Sequence, residues 1–230
     1  PALFGEVAFY AGETLLATQA IDYSSGTATY TTDSLATATH LIKAKYFGDE
    51  GNYFGSHADV LDLRVVEEPV YNISDGDINI TAGGTYRITG STTAYAITIQ
   101  TASAVTLILD NVSIDFASSS VYRCPLDSGA NVILLLEGTN TLNCCAQENT
   151  QSGYTEPGIK VEGSDRLIID NDTGRSGTLT VSGGYDRPGI GSGNRTAVPG
   201  TITIRGGTVS VTGGQNGAGI GGGEAGAGGM

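Results

Sequence analysis

The sequence predicts an all-β fold: a right-handed parallel β-helix of about five coils, preceded by a partial antiparallel sandwich. Three observations predict it. First, Pro157-Gly158-Ile159 returns as Pro188-Gly189-Ile190 and as Ala218-Gly219-Ile220. Cys124-Pro125-Leu126 is a weaker copy, and Ala96-Ile97 reads as the first. The period is roughly thirty residues, the range of stacked units that cannot bury an apolar face alone. Second, each period holds two further runs in which apolar and hydroxyl residues alternate, the mark of strands. Third, residues 1–66 carry strand-like runs at spacings near ten residues, with turn signals between them and no repeat.

The N-terminal strands are expected at Gly5–Tyr10, Leu15–Ile21, Gly26–Thr32, His40–Tyr46 and Val60–Val65. Residues 67–77, with Glu67, Glu68 and Pro69, form the junction or the first cap. The repeated part, 78–230, opens with Ile78-Asn79-Ile80 and Tyr86-Arg87-Ile88. The first run then recurs as Val105–Leu109, Val132–Leu136, Leu167–Ile169 and Ile202–Ile204. The second recurs as Val112–Ile114, a poor copy near Leu142, Leu179–Val181 and Val209–Val211. Each strand is expected to pair with its copy one coil on, about 4.8 Å away. Leu107, Leu134, Leu167 and Ile202 are expected to superpose. Ile108, Leu135 and Ile168, ending in Thr203, should form an outward column that needs a cover. The Gly-rich end reads as a frayed tail or the start of further coils.

The first 65 residues resemble a bacterial immunoglobulin-like repeat. The likeness rests on Gly5-x-Val7-x-Phe9-Tyr10, Leu15-Leu16, Gly26-Thr27-Ala28, Thr39-His40-x-Ile42-x-Ala44-x-Tyr46 and Gly48-Asp49-x-x-Asn52-Tyr53. It implies a spacer or adhesin segment of a large surface protein. Two strands usual before the first are missing, so a longer protein or another segment is expected to supply them. The repeated part is similar to the carbohydrate-binding β-helix domain of secreted bacterial proteins. That likeness rests on Gly84-Thr85-Tyr86-x-Ile88-x-Gly90, Leu107-x-Leu109-Asp110-Asn111-Val112-x-Ile114, Leu136-Glu137-Gly138-Thr139-Asn140-x-Leu142 and Pro188-Gly189-Ile190-Gly191. It implies binding of an acidic plant polysaccharide such as polygalacturonate, with calcium. Together the two imply an extracellular or wall-attached bacterial protein.

Composition narrows the partners. Acidic residues number 24 against 11 basic, a formal net charge of −13. A nucleic-acid backbone needs Lys and Arg, so nucleic acid is excluded. No run approaches the ~18 apolar residues of a membrane helix, so no membrane insertion is expected. No secretory leader is read at Pro1, so targeting segments are expected to lie outside this stretch or to have been removed.

Several residues are candidates for chemistry. Turn alignment places Asp110, Glu137 and Asp170 at one corner, with Arg205 as fourth member. Stacked carboxylates about 5 Å apart repel or recruit a counter-ion, and calcium takes such oxygens. Solvated turn residues are the plain alternative. Tyr154, Tyr185 and Tyr122 are loop aromatics for sugar contact, and Arg187 suits a sugar carboxylate. Cys124 faces Cys144 or Cys145 one coil later, and one disulfide, Cys124 with Cys144, fits stacked loops. Catalysis is not expected: His40 and His57 fall in the N-terminal part, and no nucleophile elbow, zinc motif or phosphate loop appears. A polysaccharide lyase using Lys160, Arg166 or Arg187 as base is a trailing alternative. A structural stalk with head-to-tail self-association is the nearer one.

Overall fold

The computed structural model describes residues 5–22, 24–36, 38–48, 55–58, 60–65, 68–118, 123–129, 131–145, 155–171, 176–193 and 198–222. The chain divides into two compact units, Pro1–Glu67 and Glu68–Met230. All regular structure among the described residues is β, apart from one 3-10 turn at Ile73–Asp75.

The first unit holds one antiparallel sheet of five strands. Glu6–Ala11 lies between Thr14–Ala20 and Ala38–Tyr46, and Ala38–Tyr46 also pairs with Ser56–His57 and Leu61–Val65. The strand expected at Gly26–Thr32 is not formed. Only the bridge between Asp22 and Thr27 is made there. Local bonds explain this: Asp22 Oδ1 accepts from Ser24 N, and Asp22 O accepts from Gly26 N. With Gly26 at φ 68°, the backbone is turned before a ladder can start. Leu15, Leu41, Leu61 and Leu63 of this sheet are exposed.

The second unit is three parallel sheets, visited in turn. Sheet I gathers Ile78–Ile80, Ile97–Ile99, Leu126–Asp127, Ile159–Lys160, Ile190–Gly191 and Ile220–Gly221. Sheet II gathers Val70–Asn72, Gly84–Thr89, Val105–Asp110, the first half of Asn131–Asn143, Arg166–Asp170 and Thr201–Ile204. Sheet III gathers Ser91–Thr92, Ser113–Asp115, the second half of Asn131–Asn143, Gly177–Ser182 and Thr208–Thr212. Each circuit of the chain adds one strand to each sheet.

The circuits stack residue on residue. In sheet I the column is Ile78, Ile97, Leu126, Ile159, Ile190 and Ile220. The first five are buried, as are Leu107, Leu109, Leu134, Leu136, Leu167 and Ile169 of sheet II and Ile114, Leu142, Leu179 and Val181 of sheet III. Together they make the core. Each such side chain is worth roughly 1.5–3 kcal/mol of burial. The recurring Gly before Ile has a packing cause. A Cβ on Gly158 would collide with Val181 Cγ1 and Ser182 O, and one on Gly189 with Val211 Cγ1.

Sheet II corrects the expected register. Leu107 stacks on Leu134, but Leu134 stacks on Ile169 and then Ile204. Leu167 and Ile202 continue the neighbouring column of Val105 and Val132. The slip is two residues, so every side chain keeps its face. Its origin is the corner: strand Asn131–Asn143 runs unbroken through Glu137-Gly138, whereas residues after Asp170 make a wider turn before Gly177. The outward column is corrected with it. Ile108 pairs with Leu135, but Ile168 pairs with Ile133 and then Thr203. Ile108 and Ile168 are buried and Leu135 is half-buried, while Ile133 is exposed.

The two ends differ. At the start, Ile73 of the 3-10 turn is fully buried over Ile78 and Ile80, in the same core cluster. At the other end, Ile204 and Ile220 are each 44% exposed, and Ile202, Val209 and Val211 are half-buried.

Candidate functional site

The acidic corner is built around an arginine. Asp110 and Glu137 stand side by side in register. Arg87, one circuit earlier, reaches across to both. Its Nη1 donates to Glu137 Oε2 at 2.7 Å and to Asp110 Oδ2 at 3.2 Å. Its Nη2 donates to Glu137 Oε1 and Glu68 Oε2, each at 3.3 Å. The guanidinium fork thus grips Glu137 with both arms. Asp170 does not join: it sits opposite Leu135, and its Oδ1 accepts from Asn171 N at 2.8 Å. Arg205 continues the strand beyond Ile204, its N donating to Ile169 O. Among the described residues no three carboxylate, imidazole or thiol groups converge as a cation would require. As folded, the oxygens a calcium ion would need already accept from Arg87.

Asn111 and Asn140 tie this corner to sheet III. Asn111, at φ 54°, accepts from Thr139 N and donates to Asp110 Oδ1. Asn140 is fully buried; its Oδ1 accepts from Val112 N, and its Nδ2 donates to Glu137 O and Thr178 O. It therefore spans three successive circuits.

A second charged group lies outward on sheet I, where Asn79, Thr98, Asp127, Lys160, Gly191 and Gly221 stack. Lys160 Nζ meets Asp127 Oδ2 at 2.7 Å. Burial alone would lower Lys160, but the Asp127 bond and charge outweigh it and hold the amine above its ordinary value. Burial pushes the Glu156 carboxyl up; Lys160 and Arg187 pull it back, and Glu162 and Asp127 push it further. Gly193 N donates to Glu162 Oε1 at 2.6 Å, and a Cβ on Gly193 would stand 2.6 Å from Glu156 Oε2. Three buried atoms here lack a hydrogen-bond partner: Glu156 Oε2, Arg187 Nη1 and Ser192 Oγ.

Arg187 is not the exposed sugar ligand expected of it. It is 5% exposed, and its Nε donates to Thr155 O at 2.8 Å, bracing one circuit against the next. Tyr185 is half-buried, and its carbonyl accepts from Thr155 Oγ1. Tyr154 and Tyr122 lie outside the described residues. The expected disulfide between Cys124 and Cys144 is not formed. Cys124 Sγ donates to Leu126 O and Cys144 Sγ to Arg123 O. Burial raises both thiols, Cys144 to about 11.

The surface that pattern reading passed over is the outer face of sheet III. Its central row is Ser91, Ser113, Thr141, Thr180 and Ser210, in register across five strands. Thr139, Thr178 and Thr208 form a row on one side. Asp115, Asn143, Ser182 and Thr212 form a row on the other. These side chains are exposed or half-exposed, while Ile114, Leu142, Leu179 and Val181 between them are buried. At one end lies a groove of about 540 Å³ lined by Ser74, Ser91, Thr92, Thr93, Ser113 and Asp115. Rows about 4.8 Å apart present a flat lattice of hydroxyl donors and acceptors with one carboxylate in it. The signal was in the sequence: the hydroxyl half of the alternation that announced the strands.

A stacked all-β unit with a repeating, uncharged hydrogen-bonding face is a scaffold for holding an extended polar ligand. Family comparison makes the class definite. The family model "Carbohydrate-binding domain-containing protein" matches residues 74–218, and the chain belongs to that family. Neither the curated proteins nor the solved structures yield a match. No helix is long and apolar enough to cross a membrane among the described residues.

Proposed function

We propose that the chain is a non-catalytic polysaccharide-binding segment of a secreted or wall-attached bacterial protein, and that the ligand lies along the outer face of sheet III. The family match over residues 74–218 carries the reading. The hydroxyl rows supply the place: each sugar hydroxyl is both donor and acceptor, and so is each Ser and Thr of the rows. In the same reading the stacked unit is a right-handed parallel β-helix, and the N-terminal sheet is part of an immunoglobulin-like spacer. An acidic glycan bridged by calcium at Asp110 and Glu137 is the second form of the reading. The register of those two carboxylates favours it, and it requires Arg87 to release them.

Affinity electrophoresis in neutral and in acidic polysaccharide, each with and without chelator, tests both. Retardation that survives chelator supports the hydroxyl face. Replacing Thr141 and Thr180 together by Ala should weaken it about tenfold, the worth of one or two lost hydrogen bonds. Retardation only in polygalacturonate, abolished by chelator, would move the site to the acidic corner. No retardation in any glycan would leave the stalk reading.

A further inference from the structure

We propose that two copies of the chain join tail to tail through the circuit 201–221, with a two-fold axis crossing Ser210. Thr201–Ile204, Thr208–Thr212 and Ile220–Gly221 are the last members of their sheets, and all three belong to this circuit. Each leaves one edge without a strand partner among the described residues. Open edges normally carry a charge, a proline or a bulge against unwanted pairing. These three strands carry none. Their inward side chains are the core columns cut short: Ile204 and Ile220 are each 44% exposed, where Ile169 and Ile190 one circuit earlier are fully buried.

The partner follows from the sequence of the longest edge. Thr208-Val209-Ser210-Val211-Thr212 reads the same in both directions. Two copies paired antiparallel about Ser210 set Val209 against Val211 of the other copy and Thr208 against its Thr212. Apolar then meets apolar and hydroxyl meets hydroxyl, the matching that stabilises cross-strand pairs. A surface complementary to itself is what a two-fold contact needs. Charge agrees. On a chain of net charge −13, residues 198–222 hold a single charged side chain, Arg205, so this end meets its twin without carboxylate repulsion. The opposite end is a poor mate. Ile73 closes its core, and Asp75, Asp77 and Arg123 surround it. Two-fold pairing therefore replaces the head-to-tail contact anticipated from the repeat alone.

Sedimentation equilibrium of the 230-residue chain tests the proposal. The expected species has twice the chain mass. Ser210 is exposed, so Ser210→Lys keeps the fold, checked by an unchanged unfolding midpoint, and sets two ammonium groups face to face. It should halve the mass. Ser210→Cys, oxidised with glutathione disulfide, should give a covalent dimer. Peptide mapping should join position 210 of one copy to position 210 of the other, since opposed antiparallel residues lie about 4.5–5.5 Å apart. A single-chain mass for the unmodified protein at every concentration would overturn the proposal, as would open-ended oligomers or a cross-link that avoids the 210–210 pair. None of these readouts depends on glycan binding.

Discussion

The Arg87 corner and the Lys160 group start from the same problem and end differently. In both, stacking brings carboxylates of successive circuits close together. At the corner one guanidinium from an earlier circuit takes Asp110, Glu137 and Glu68 at once. On sheet I, Lys160 is a point charge committed to Asp127, and Glu156 Oε2 is left buried without a donor. The contrast teaches that a parallel stack amplifies charge by repetition, and that a forked cation settles it where a single ammonium does not.

The largest expected effect breaks the better-settled side. Arg87 is 16% exposed and Glu137 17%. Arg87→Met should cost about 2–3 kcal/mol in urea unfolding, between the range for breaking a buried pair and that for an exposed one. The same variant frees the corner oxygens, so calcium should raise its melting temperature more than it raises that of the parent. An equal calcium response in both proteins would mean that Arg87 does not hold the corner. Lys160→Met should cost less, about 0.5–1 kcal/mol, because a single partly exposed pair is lost. A loss matching that of Arg87→Met would erase the distinction drawn between the two groups.

Glu156 sharpens the comparison through pH. Its folded carboxyl stands above the ordinary carboxylate value, chiefly through burial. The neutral form is therefore the favoured one in the fold. Its stabilising share is complete below the unfolded value and is lost as pH rises through the raised folded value. Glu156→Gln should flatten that loss and leave the variant slightly more stable than the parent at neutral pH. A parent profile that climbs through the same window, with no flattening in the variant, would show that Glu156 is ionised and satisfied.

Much of this was legible in the sequence, and the limits have causes. The Gly-Ile repeat located sheet I to the residue, because only glycine fits beneath the strand end that Gly158 and Gly189 touch. The apolar alternation gave the inward faces of sheets II and III. Register was lost by two at Asp170, since the turn before Gly177 differs in length from Glu137-Gly138, and period-two patterning is blind to even shifts. That slip is why Asp170 was grouped with Asp110 and Glu137. Arg87 was passed over because it lies in an earlier circuit than the carboxylates it binds. Arg187 was misjudged because a loop position in sequence says nothing of burial. The hydroxyl rows were seen one strand at a time, and only the stack makes them a surface.

The closure at Ile73 gives the molecule a mechanical polarity. A pull applied along the stack meets a sealed terminus on one side and a row of half-covered strands on the other. Rupture should begin at the uncovered side and proceed turn by turn, like a spring unwound from its loose end. The last stretch to let go should be the one that Ile73 stoppers.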